Sequence, residues 1–151
     1  MVITSPSFAP GELIPSVHTC DGSDLSPLLQ WSGPPAGTRS FALISDDPDA
    51  PMGTWVHWVV WNIPSGVNSL EKDQPKKDSL PAGARQGTND FGRVGYGGPC
   101  PPSGTHRYFF RLYALDTLLD LPSTTTKAQL EKAMKGHVLG QAELMGKYRR
   151  S

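Results

Sequence analysis

Net charge is the first thing this chain lacks. Fourteen Lys and Arg residues balance fourteen Asp and Glu residues over 151 positions. There is therefore no basic stripe of the kind that displaces counterions from nucleic acid, and no nucleic-acid partner is expected. Lys147, Arg149 and Arg150 near the end read as a solvated tail. Long apolar runs are missing too: a run such as Phe41–Ile44 falls far short of the ~20 residues of a membrane span, so no integral membrane association is expected. Met1-Val2-Ile3-Thr4 has neither the basic start nor the apolar core of a secretory leader, which makes a cytoplasmic location the expectation. Cysteine is scarce. Cys20 and Cys100 are expected as free thiols in that compartment. Nor is there a Gly-x-Ser-x-Gly elbow or a Walker-type phosphate loop, and Gly92, Gly95, Gly97 and Gly98 lack the spacing and following helix of a dinucleotide site.

What the chain has in excess is turns. Sixteen glycines and fifteen prolines make up about a fifth of it, spread between short apolar segments as in a protein of many short strands. Its length suits one domain, residues 1–151. Three segments read clearly as strands: Ser40–Ser45, Trp55–Ile63 and Thr105–Leu115. The second is rich in aromatic and β-branched residues on both faces, as in a central strand packed on each side. Shorter strands are expected near Val2–Thr4 and Leu28–Trp31, and irregular loops over Asp73–Gly87 and Gly92–Gly104. A single helix is predicted near the end. Thr126 and Gln129 form a capping box, Leu130, Ala133, Met134 and Val138 share a face, and Gly136 and Gly140 weaken or stop it. Ala142–Arg149 reads equally as a helical turn or a last strand. The predicted class is mostly β, a sandwich with a late helix on one side.

The side chains able to do chemistry sit at the ends of the strongest strands. Asp47-Pro48-Asp49-Ala50-Pro51 follows the first. By strand alternation Trp55 and His57 share one face, and His106 and Tyr108 another. If these strands are neighbours, two imidazoles, an indole, a phenol and a carboxylate converge at one rim, with glycine-rich backbone before His106 as a further anion nest. Each has a plainer reading alone: Asp47 and Asp49 as turn residues beside proline, His57 as a hydrogen-bonded core histidine, Trp55 and Tyr108 as core. His18 and His137 are read as structural. Asp47 in such a site would either hold His57 in one tautomer and raise its basicity, or receive a proton-bearing phosphate or an ammonium headgroup.

The segments Asp47–Pro51, Trp55-Val56-His57, Gly98–Pro102 and Gly104-Thr105-His106-Arg107-Tyr108, with Thr19-Cys20-Asp21-Gly22 and Gly136–Leu139, resemble the signature segments of the phosphatidylethanolamine-binding (Raf-kinase-inhibitor-like) family, in its compact bacterial and archaeal form. The resemblance implies a two-sheet antiparallel β-sandwich with the short helix before a last strand at Ala142–Arg149. It implies a pocket lined by Asp47, Trp55, His57, Pro102, His106 and Tyr108, with Asp49 supporting the turn, and a cis peptide at Ala50–Pro51. The implied ligand is a small anion or a phospholipid headgroup, with no cofactor and no catalysis. A second copy of the chain or a regulated protein partner stays open. Rival readings are a kinase- or protease-inhibitor module, a hydrolase using Cys100, His106 and Asp47, and a metal site from His57, His106 and Asp47.

Overall fold

In the computed structural model, which describes residues 1–150, eight strands and one helix follow one another as β1 (Val2–Thr4), β2 (Leu29–Ser32), β3 (Ser40–Asp47), β4 (Trp55–Pro64), β5 (Ser69–Leu70), β6 (Arg85–Gln86), β7 (His106–Leu115), α1 (Lys127–Met134) and β8 (Val138–Tyr148). They form a three-stranded sheet, β1-β2-β5, and a five-stranded sheet, β6-β4-β3-β7-β8. All pairings between these strands are antiparallel. The expected mostly β, two-sheet sandwich is what forms.

Strand alternation sorts the core into two layers. Phe41 and Leu43 of β3, Trp58 and Val60 of β4, and Tyr108, Phe110 and Leu112 of β7 face the small sheet and its Ile3, Leu29 and Trp31. Ala42, Ile44, Val59 and Trp61 face the other way, onto Leu130 and Met134 of α1. That explains why β4 is apolar on both faces: it is sandwiched. Each such side chain, taken fully out of water, contributes roughly 1.5–3 kcal/mol.

The helix starts as expected. The Thr126 hydroxyl accepts from the Gln129 N–H and the Gln129 side chain accepts from the Thr126 N–H. It ends earlier than the periodicity implies: Gly136, at φ +83°, turns the chain, and Val138 opens β8 instead of completing a helical face. The region Asp73–Gly87 is less irregular than expected, since it holds a 3-10 turn at Pro81–Gly83 and the short β6. Gln86 is its anchor. Fully buried, its side chain accepts from the Trp58 indole N–H at 2.6 Å and donates to the Pro75 and Lys77 carbonyls at 2.6 and 2.7 Å.

Two further expectations fail. No cis peptide occurs among the described residues, so Ala50–Pro51 is trans. Cys20 and Cys100 are not free thiols but a disulfide across 80 positions, with Cα atoms 5.4 Å apart. The segments carrying them are stitched together independently. The Cys20 N–H donates to the Pro99 carbonyl at 3.1 Å, the Tyr96 hydroxyl to the His18 carbonyl at 2.7 Å, and the Gly98 N–H to Asp24 Oδ1 at 2.8 Å. Gly98 leaves no room for a side chain, since a Cβ there would lie 2.1 Å from the His18 oxygen.

Candidate functional site

The end of β3 carries two adjacent aspartates, and alternation sends them to opposite faces. Asp46 turns toward α1, where it pairs with Arg111 and, at 2.7 Å, with Lys127. Asp47 turns inward. On β4, Ser45 pairs with Trp58 but Asp46 pairs with Val56, so His57 is an extra residue opposite β3. Such a bulge re-aims side chains locally. Here Val56 keeps to the helix side and Trp58 to the inner core, and the His57 ring lies edge-on to Tyr108 at 5.2 Å. From β7, His106 and Tyr108 arrive on the same inner face, their rings stacked at 6.4 Å.

These residues meet in a pocket of about 230 Å3 at the rim of the sandwich. Asp47, Trp55, His57, Pro102, His106 and Tyr108 all line it. Asp49 does not. Its carboxylate lies outside, accepting from the Arg107 backbone N–H at 3.0 Å and from its guanidinium at 2.9 and 2.8 Å. Arg107 holds the Asp49 carboxyl down at about 2. The Asp49 N–H donates to Asp47 Oδ1 at 2.7 Å, which is how it braces the turn.

Asp47 does not orient His57, contrary to one sequence-based expectation. Its Oδ2 accepts from Nδ1 of His106 at 2.7 Å. Nδ1 of His57 instead donates to the Gly97 carbonyl at 2.6 Å. β3 lies between β4 and β7, so both histidine strands adjoin Asp47, and its carboxylate meets the ring carried by β7. Asp47, His57 and His106 are 3%, 3% and 6% exposed. Burial pushes the His57 pKa down, against the Gly97 hydrogen bond and the Asp47 charge. Tyr108 is pushed up, by burial first and by Asp47 second, and its buried hydroxyl lies close to the Asp47 carboxylate and the Cys100 backbone.

The glycine-rich anion nest is not built. The Gly92, Gly95 and Gly97 N–H groups donate to the Asn89, Gly87 and His57 carbonyls, and Gly98 is held by Asp24. Sequence reasoning also missed much of the wall: Ala50, Pro51, Met52, Phe91, Cys100 and Pro101. Phe91 stands edge-on to Trp55 at 5.5 Å and to His57 at 5.4 Å. Its one local signal was Asn89, whose Oδ1 accepts from the Phe91 and Arg93 N–H groups at 3.0 and 3.2 Å. The other two histidines are structural: His18 Nδ1 donates to the Leu25 carbonyl at 2.8 Å, and His137 pairs with Asp116 on the surface.

A two-sheet antiparallel sandwich with a histidine-floored, aromatic-walled pocket at one rim is the class of protein in hand. The chain belongs to the phosphatidylethanolamine-binding protein family, whose model matches residues 4–149. It is 58% identical over 137 residues to a UPF0098 protein of Methanothermobacter thermautotrophicus, covering 91% of each chain. A UPF0098 protein of Aquifex aeolicus is 52% identical over 153 residues, covering 99% of this chain and 89% of the relative. Two crystal structures superpose with TM-score 0.92. One is a phosphatidylethanolamine-binding protein homologue of Chlamydia trachomatis, at 40% identity, covering 99% of this chain and 97% of that one. The other is YbcL of E. coli, described as a new member of the mammalian family, at 39% identity, covering 99% and 98%.

Proposed function

We propose that the protein binds a small phosphate-like anion, free or as the headgroup of a larger molecule, and acts by binding rather than by catalysis. One observation carries this reading. Both imidazoles are held by Nδ1, to Gly97 and to Asp47, while neither Nε2 makes a hydrogen bond within the described residues, and both rings line one pocket with Tyr108. Convergent polar groups in a mostly apolar concavity are the ordinary form of a small-ligand site.

The hydrolase reading loses its nucleophile, because Cys100 is bonded to Cys20 and has no thiolate to offer. Among the described residues no three His, Cys, Asp or Glu side chains gather as a metal site requires. No helix among the described residues is long and apolar enough to cross a membrane. The disulfide bears on location. Such bonds persist in oxidising compartments or inside hyperthermophiles, so a cytoplasmic protein of this kind fits only the second setting.

The test is thermal unfolding with inorganic phosphate and with phosphoethanolamine. A ligand at a hundred times its Kd adds about 2.7 kcal/mol, which for this size raises Tm by on the order of 5–10 °C. His106→Ala should abolish the shift while leaving a cooperative transition. No shift with either ligand in the wild-type protein refutes the reading.

A further inference from the structure

We infer that the pocket selects oxyanions that carry or readily take up a proton, namely hydrogen phosphate and phosphate monoesters, over sulfate and phosphodiesters, because the hydrogen bonds to Nδ1 of both histidines leave lone pairs, not N–H groups, facing the ligand. This rests on the pocket being an anion site.

The Gly97 carbonyl can only accept, so Nδ1 of His57 carries the hydrogen in the 2.6 Å bond between them. Asp47 Oδ2 accepts from Nδ1 of His106 at 2.7 Å, and Asp47 Oδ1 is already taken by the Asp49 N–H. A neutral imidazole has one N–H and one lone pair. In each ring, when neutral, the lone pair is therefore on Nε2. The floor of the pocket offers two lone pairs beside a carboxylate, and the Tyr108 hydroxyl is buried near that carboxylate rather than turned to the ligand.

A fully ionised oxyanion meets lone pair against lone pair there. Sulfate and a phosphodiester stay fully ionised near neutrality, so each binds only after an imidazole takes a proton from solvent. Hydrogen phosphate brings its own O–H. A phosphate monoester is protonated cheaply, since its second pKa is about 6. The proton then sits between phosphate oxygen and Nε2, and the misfit becomes a hydrogen bond. A phosphatidyl lipid is a diester and lacks that proton. Its headgroup monoester can take one up.

The charged and titratable groups around the rings act in known directions. His57 faces Tyr108, with Asp47, Asp46 and Asp24 contributing at longer range and burial outweighing all three. His106 faces Asp47 and Tyr108. Its neighbour Arg107 is paired with Asp49, and Tyr148, opposite in register, donates to Asp21. No unpaired cation among these supplies the missing donor. A proton taken up from solvent does, so selectivity should fade on acidification.

Calorimetry with inorganic phosphate, phosphoethanolamine, glycerophosphoethanolamine and sulfate, at constant ionic strength, tests this at about pH 7.5 and about pH 5.5, on either side of the usual histidine pKa. At the higher pH the phosphate and the monoester should bind on the order of tenfold or more tighter than sulfate and the diester, one unmade buried hydrogen bond being worth that much. At the lower pH sulfate should gain on phosphate. The monoester against free phosphate shows whether the headgroup adds affinity. Asp47→Asn is the decisive variant. Its Oδ1 still accepts from Asp49, so its amide N–H must face Nδ1 of His106, forcing the hydrogen onto Nε2. The preference of phosphate over sulfate should then shrink by on the order of tenfold, through stronger sulfate binding. Sulfate binding as tightly as phosphate at the higher pH, in a manner lost in His106→Ala, overturns the inference and leaves the anion site standing. If Asp47→Asn does not fold, that wild-type comparison decides alone. No binding of any of the four removes the site and the inference together.

Discussion

Removing the cross-link between Cys20 and Cys100 should cost stability without dismantling the pocket. The bond closes a loop of 80 positions. In the chain-entropy account a loop that long removes about 4.5 kcal/mol worth of freedom from the unfolded ensemble at room temperature. A domain of 151 residues loses roughly 2–4 °C of Tm per kcal/mol, so the Cys20→Ser, Cys100→Ser double variant should melt on the order of 10–15 °C lower. The wall carrying Cys100 keeps three other ties: Cys20 N–H to Pro99, Gly98 N–H to Asp24, and Tyr96 to His18. Phosphate affinity in the variant should therefore change by only about twofold, because local packing and not the cross-link sets the wall. Differential scanning calorimetry of wild type, reduced wild type and the double variant, each with and without phosphate, reads both quantities. A Tm within about 3 °C of wild type would refute the loop argument. A loss of binding with Tm unchanged would refute the claim that the remaining ties hold the wall.

Three other outcomes follow from particular groups. His57 has a folded pKa below its unfolded value near 6.5, so the unfolded chain binds more protons between the two and stability falls as pH drops through that window; Tm measured from about pH 7.5 to pH 5.5 should decline in wild type and decline less in His57→Gln. Gly98→Ala puts a Cβ 2.1 Å from the His18 oxygen and 2.5 Å from Asp24 Oδ1, which should cost about 2–3 kcal/mol in urea unfolding, and no measurable loss would mean that the two segments separate freely. Trp58→Phe strands the buried Gln86 Oε1 and should cost about 1–3 kcal/mol, against near-neutrality if water replaces the indole.

How far the sequence reaches can be judged from single residues. The Trp55–Trp61 run was legible as a doubly covered strand because its composition reports burial on both faces directly. Thr126 and Gln129 marked the helix start because a capping box is local in sequence. Long-range pairings were not legible. Cys20 and Cys100 lie 80 positions apart, and the expectation of free thiols came from an assumed compartment, not from the chain. One reading set Asp47 beside His57, its nearer neighbour in sequence, whereas its carboxylate meets His106 across β3-β7, a pairing that no local pattern encodes. The glycine nest failed for a related reason: the residues permit such a geometry, but their N–H groups are already spent on Asn89, Gly87, His57 and Asp24. Gln86 shows the reverse error. A polar residue in a polar stretch read as loop, yet it is fully buried because three partners wait for it.

The extra residue in β4 has a consequence for how this site can be altered. Ser45 is matched to Trp58 and Asp46 to Val56, so excising position 57 alone would remove this shift, while the second shift between Phe41 and Leu43 would stay. A single-codon deletion there should leave Val56, Trp58 and Val59 on the faces they already occupy, and remove one wall of the pocket in the same stroke. The same deletion would also remove both hydrogen bonds between His57 and Gly97, so the residue that shapes the pocket also ties β4 to the glycine-rich loop.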